Sequence, residues 1–187
     1  CGTHKAPPCV CVPQIPPGPP SGRKSDPKPR LDTTVTFDQS RSVIARNESP
    51  DIPFDRSINP YRGCEHGCIY CFARPTHAWL GLSPGLDFET KLFAKSDAAG
   101  LLERELAKPG YQARPIALGT NTDPYQPVER RLKVTRSILE VLAAHDHPVT
   151  IVTKSGLVTR DLDILARRGA GERDAGAQGA LDLFFVQ

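Results

Sequence analysis

Residues 58–81 read INPYRGCEHGCIYCFARPTHAWLG and hold three of the chain's six cysteines, Cys64, Cys68 and Cys71. Their spacing is C-x3-C-x2-C, on a stretch in which Gly63 and Gly67 let the backbone bend around a compact centre. Thiolates are soft ligands that select iron–sulfur clusters, zinc or copper over hard cations, so the loop reads as a metal site. A structural zinc takes four protein ligands and would have to recruit His66, His77 or a distant residue. A four-iron cluster held by three cysteines leaves one iron open to a ligand that is not protein. Three unrelated buried thiols would explain the spacing poorly.

The chain around this loop is ordinary in composition. Its 187 residues suit one medium domain and a tail, 39% of them are hydrophobic, and the net charge is +3, too weak to argue for nucleic acid. No run approaches the ~18 apolar residues of a membrane helix, and no signal peptide is visible, so a cytoplasmic protein is expected. With Cys1 first and no methionine, the sequence is expected to be a piece of a longer chain, incomplete at both ends. Six cysteines in two clumps do not resemble a secreted disulfide framework. Residues 1–60 hold 12 of the 19 prolines, and 1–32 is expected to be a disordered Pro-rich tail. Its Cys1, Cys9 and Cys11 read as stray thiols sooner than as a metal-binding tail.

The core domain is expected over 33–187, with an ordered lead-in at 33–57 and the cysteine loop at 58–81. Ser96 and Asp97 start a helix whose stripe is Leu101, Leu102 and Leu106, stopped by KPG at 108–110. PIALG at 115–119 reads as a buried strand and 129–144 as one helix, with Leu132, Ile138, Leu139 and Leu142 on one face. HPVTIVTK at 147–154 is a β-branched strand, a helix follows at about 159–168, and LDLFFVQ at 181–187 is a last strand. With a strand just before Cys64, this alternation predicts an α/β fold of parallel β/α units, about four strands of a barrel cut short. The run RRGAGERDAGAQGA at 167–180 differs in composition from its surroundings and suggests an out-of-frame stretch.

Tyr70, immediately before Cys71, completes the pattern C-x3-C-x-aromatic-C, in which the sequence resembles the radical S-adenosylmethionine superfamily. Within it, SINPYRGCEHGCIYCFARPTH (57–77), TNTDPYQP (120–127) and VTKSGLVTRDLD (152–163) look like the group related to spore photoproduct lyase, often labelled DNA repair photolyase-like. The resemblance covers roughly residues 40–166. It implies a partial (β/α) barrel and a [4Fe-4S] cluster on Cys64, Cys68 and Cys71. S-adenosylmethionine would chelate the open iron and be cleaved reductively to a 5′-deoxyadenosyl radical that abstracts hydrogen from a substrate. A reductant such as flavodoxin or ferredoxin is implied as partner, and the substrate is unknown, with nucleic acid one class to consider.

On the same resemblance Tyr70 would stack near the adenine, Thr122 and Asp123 would meet the cofactor ammonium, and Lys154 would pair with its carboxylate. Each has a plainer reading: an aromatic packed at the barrel mouth, turn chemistry at Asp-Pro, and a solvated lysine at a strand end. His66, Arg62 and Arg74 are candidates for hydrogen bonds to cluster sulfides, Asn121 and Tyr125 are weaker candidates for the cavity, and His77 and Trp79 carry no assignment. One departure stands out: the lyases carry a cysteine two residues before the hydroxyl–acid pair, as hydrogen donor, and here Thr120 occupies that place. Dimer repair by the lyase route is therefore not expected. The expected function is a radical S-adenosylmethionine enzyme; the alternative is a noncatalytic zinc- or iron–sulfur-binding module.

Overall fold

The computed structural model describes residues 32–171 and 181–185, with only the backbone described at 167–171 and 181–185. The expectations for residues 1–31, including Cys1, Cys9 and Cys11, and for 172–180 fall outside the described residues.

Among the described residues there are eight strands: β1 (Thr34–Phe37), β2 (Ala45–Arg46), β3 (Arg56–Ile58), β4 (Tyr61–Arg62), β5 (Lys91–Ala94), β6 (Ile116–Leu118), β7 (Val149–Thr153) and β8 (Leu181–Phe185). The helices are α1 (Leu86–Thr90), α2 (Ala98–Leu106), α3 (Glu129–Leu132), α4 (Val134–Ala144) and α5 (Leu162–Gly171), with 3-10 turns at Arg74–Leu80 and Gly156–Asp161. Five strands form a sheet in the order β2-β3-β6-β7-β8, in which β3, β6, β7 and β8 run parallel and β2 pairs antiparallel at the edge. Parallel strands cannot be joined by tight hairpins, so α3 and α4 carry the chain from β6 to β7, and α5 leads from β7 towards β8. All three side chains of β3 and of β6 are buried, as expected of strands covered on both faces.

A second sheet, β1-β5-β4, was not anticipated. β1 lies parallel to β5 in the register Val35↔Leu92, and β4 antiparallel to it, Arg62↔Phe93. The lead-in strand thus docks on a four-residue strand at 91–94 that follows directly on a helix, with no turn residue to announce it. The two sheets share one core. Ile58, Tyr61, Leu92, Leu102, Ile116, Leu118, Ile138, Leu139, Leu142 and Ile151 all sit within it at essentially zero exposure. Each fully buried side chain of this size contributes about 1.5–3 kcal/mol.

The helix expected over 129–144 is broken. Lys133 adopts left-handed backbone (φ 54) and separates α3 from α4. The break lets the Glu129 carboxylate fold back onto the start of α4, where it accepts from Thr135 N (3.0 Å) and Arg136 N (3.3 Å). These amides have no partner within the helix, so Glu129 caps it. The helix expected at 159–168 likewise begins as a 3-10 turn, capped by Ser155 Oγ accepting from Leu157 N.

Glu129 is fully buried and is the hub of an ionic network. Tyr61 Oη donates to it from β4, and Arg160 Nη2 donates at 2.8 Å while also reaching Asp161 Oδ2 at 2.7 Å. Arg136 closes the circuit on Asp161 (2.8 Å) and Asp163 (2.8 Å). Burial, reinforced by Glu129, drives the Tyr61 phenol far above its ordinary range. Asp161 lies below the usual carboxylate range; burial opposes this, but the bonds from Arg160 and Arg136 outweigh it.

Candidate functional site

The C-terminal ends of parallel strands are where α/β sheets assemble their sites. Asn59 follows β3, residues 119–126 follow β6, and Lys154 follows β7, so three loops meet at that edge. Gly119 opens the second loop with φ 84; a β-carbon there would stand 2.3 Å from Val152 O and 2.6 Å from Pro124 Cδ. Gly119→Ala is accordingly expected to destabilise by about 2–4 kcal/mol in denaturant titration, combining positive-φ strain with a clash against backbone. Asn59 holds the turn that follows: its Oδ1 accepts from Asn121 N (2.9 Å) and Thr122 N (3.4 Å), and its Nδ2 donates to Thr120 Oγ1 (3.2 Å).

The loop after β6 clamps the cysteine loop. Gln126 is fully buried; its Nε2 donates to Gly63 O (3.0 Å) and its Oε1 accepts from Glu65 N (2.9 Å), so one amide grips the backbone on both sides of Cys64. Cys64 N donates to Phe88 O (2.9 Å), and Gly63, at φ 81, fits where a β-carbon would lie 2.7 Å from Leu92 Cδ2. Arg74 Nε donates to Cys68 O (3.0 Å), and its guanidinium pairs with Glu89.

All three thiols are free; Cys64 is buried and Cys68 and Cys71 are half-buried. Burial pushes the Cys64 thiol up to about 11, although the backbone amides of His66 and Asp123 act on its sulfur in the opposite direction. Lys154 Nζ lies 2.7 Å from Cys68 Sγ, a contact that raises the lysine pKa and places a cation where sulfur would carry negative charge. Among the described residues, no three His, Cys, Asp or Glu side chains form a group able to hold one metal ion. A cubane makes a different demand, since each thiolate takes its own iron and the sulfurs need not converge on one point. Three free thiols, backbone amides acting on one sulfur and an ammonium on another suit that polyanionic group.

The remaining expected site residues divide. Tyr70 is 74% exposed, which leaves its ring open to a ligand. Thr122 is buried, with its hydroxyl donating to Tyr61 O (2.8 Å). Asp123 is saturated from within. Its Oδ1 accepts from Thr153 Oγ1 (2.7 Å) and Tyr125 N (2.8 Å), its Oδ2 from Lys154 N (3.0 Å), and His66 Nε2 lies 3.3 Å away. Burial raises the Asp123 pKa, but these bonds outweigh it and hold the carboxyl below its ordinary range. Asp123 therefore ties the loop after β6 to the loop after β7 and brings His66 and Lys154 beside the thiols. Tyr125 is buried, with the Arg160 guanidinium over its ring, and His77 is buried with Nε2 on Lys91 O (2.9 Å); Trp79 is exposed. Sequence reading missed Asn59, Gln126 and Glu129. A polar residue directly after a buried strand was the one available signal, and it applies to Asn59 alone.

The chain is 44% identical over 135 residues to uncharacterized proteins from Mycobacterium tuberculosis and Mycobacterium bovis, which covers 71% of this chain and 40% of theirs. It is 30% identical over 110 residues to an uncharacterized protein from Methanocaldococcus jannaschii, covering 59% of this chain and 39% of the relative. The chain thus spans about two fifths of the length of the curated relatives it matches. No family model matches, and no solved structure matches. Among the described residues no helix is long and apolar enough to cross a membrane.

Proposed function

We propose that this chain carries the cluster-binding part of a radical S-adenosylmethionine enzyme, with Cys64, Cys68 and Cys71 as ligands of a [4Fe-4S] cluster. The observation that carries the reading is the C-x3-C-x2-C loop at the C-terminal edge of a parallel sheet, with Lys154 reaching from the next-but-one strand to the Cys68 sulfur. On this reading β3, β6, β7 and β8 are consecutive staves of a partial (β/α) barrel. When bound, the cluster and S-adenosylmethionine would supply an electron and a 5′-deoxyadenosyl radical for hydrogen abstraction.

The chain's own residues do the positioning. Gln126 and Phe88 O fix the backbone around Cys64, Arg74 fixes the carbonyl of Cys68, and Lys154 offsets negative charge at the sulfurs. Exposed Tyr70 offers a ring face for the adenine, and Thr122 and Asp123 set the loop that would border the methionyl group. The Asp123 carboxylate would have to release one of its internal donors to accept from the cofactor ammonium. A flavodoxin or ferredoxin is the fitting electron donor in a cytoplasmic setting, and Thr120 in the place of a hydrogen-donating cysteine argues against dimer repair.

Anaerobic reconstitution with iron and sulfide is expected to give broad visible absorption and about four irons per chain. Dithionite and S-adenosylmethionine are then expected to yield 5′-deoxyadenosine. Stoichiometric zinc retained without visible absorption would overturn the reading in favour of a noncatalytic zinc module.

A further inference from the structure

We propose a second site, beside the cysteine loop but apart from its three thiols: a cavity walled by Arg62, Lys95 and Asn121 that binds a single phosphate group. The cavity measures about 190 Å³ and also touches Asn59, Thr76 and Thr122; none of the three thiols, Asp123 or Lys154 lines it. It lies between the two sheets, where β4 and the end of β5 face the loops that follow β3 and β6.

Three side chains in that wall have N–H donors to offer. Lys95 is half-buried, and its ammonium has no hydrogen bond or ion pair among the described residues. Burial and then the neighbouring Arg62 lower its pKa, and the more weakly acting carboxylates of Asp38 and Glu105 do not offset them. Arg62 uses Nε on Asp38 Oδ2 at 3.2 Å, and its Nη groups make no hydrogen bond among the described residues. Among the described residues the Asn121 side-chain amide makes no hydrogen bond, while its backbone N is held by Asn59. The hydroxyls and the remaining amide are already committed: Thr76 Oγ1 donates to Ala73 O (2.6 Å), Thr122 Oγ1 to Tyr61 O, and Asn59 Nδ2 to Thr120 Oγ1. The nearby carboxylates are hydrogen-bonded elsewhere, Asp38 to Arg62 and Ser40 and Glu105 to Val43 N (2.7 Å), so they act on Lys95 through space and not by a direct ion pair.

A partly desolvated cation without a partner is costly, and an anionic ligand removes that cost. The volume is below the ~300–1,000 Å³ of pockets that enclose whole drug-sized ligands, so it takes one small group. Lysine, guanidinium and amide donors reach it from three separate chain segments. A phosphate presents oxygens in three directions to meet them, whereas a carboxylate presents two in a plane. A larger groove of about 410 Å³ around Asn47, Phe54, Asp55 and Arg114 lies at the opposite, N-terminal end of the strands and has an acidic wall, so it does not compete for this ligand.

The test is isothermal titration of inorganic phosphate, and separately of a thymidine dinucleotide phosphodiester, into the intact chain at constant ionic strength in chloride. Wild type is expected to bind at least one of the two. Lys95→Gln is expected to weaken that binding at least tenfold, while Lys108→Gln, at an exposed lysine, leaves it unchanged. Tighter binding of inorganic phosphate assigns the site to free phosphate or a monoester, and tighter binding of the dinucleotide assigns it to a nucleic-acid backbone. Should Lys95→Gln fail to fold, Arg62→Gln serves with the same expected loss. Binding no stronger than chloride, or binding unchanged in the Lys95 and Arg62 variants, overturns the proposal. Cys64→Ser is expected to retain phosphate binding, so this site and the cluster reading stand or fall independently.

Discussion

Replacing Glu129 with alanine is expected to lower unfolding stability by about 3–5 kcal/mol, the usual cost of removing one member of a buried ionic pair. Three losses coincide. Arg160 loses a bond of 2.8 Å, Tyr61 Oη is left buried without its acceptor, and Thr135 N and Arg136 N lose the cap of α4. Against a typical total of about 5–15 kcal/mol, the variant sits near the edge of folding. Denaturant titration reads the effect as a lower midpoint; a loss under about 1 kcal/mol would show that the network is ornamental. The same network shapes the acid limb. Asp161 has a folded pKa below its unfolded value, so its contribution is present above about pH 4 and is lost as pH falls through the folded pKa. Asp161→Asn is expected to flatten stability against pH in that window.

Cys64→Ser, Cys68→Ser and Cys71→Ser are each expected to abolish the visible absorption obtained on reconstitution, since on the proposed reading every thiolate would hold a separate iron. The three variants should differ in stability. Cys64 is 7% exposed and packs with Ala73 and Phe88, where a thiol behaves as a small hydrophobe. A serine hydroxyl in that place costs about 1–3 kcal/mol unless it finds a partner. Cys68 and Cys71 are half-buried, and their serine variants should melt close to wild type. Full absorption retained in any one variant would remove that cysteine from the ligand set.

What could be read from sequence follows the range of the forces involved. The strands at 115–119 and 147–154 and the apolar faces of α2 and α4 announce themselves, because burial of a periodic stripe is a local pattern. The break at Lys133 does not, because it is stabilised by a capping carboxylate and not by glycine or proline. β5 was hidden because it is four residues long and begins where α1 ends. The cysteine spacing suggests metal chemistry by itself. Gln126 and Asn59 each act on partners far away in the chain, Gln126 across 63 positions and Asn59 across 61, and single polar residues leave no periodic trace.

The hub at Glu129 has a dynamic consequence. Tyr61 lies three residues before Cys64, Arg160 lies six beyond Lys154, and both hold the same carboxylate. Loosening the cysteine-bearing segment or the segment after β7 would strip a donor from the carboxylate that anchors the other, so the two rims of the site are energetically coupled, and a ligand that orders either one is expected to lower the entropic cost of ordering both.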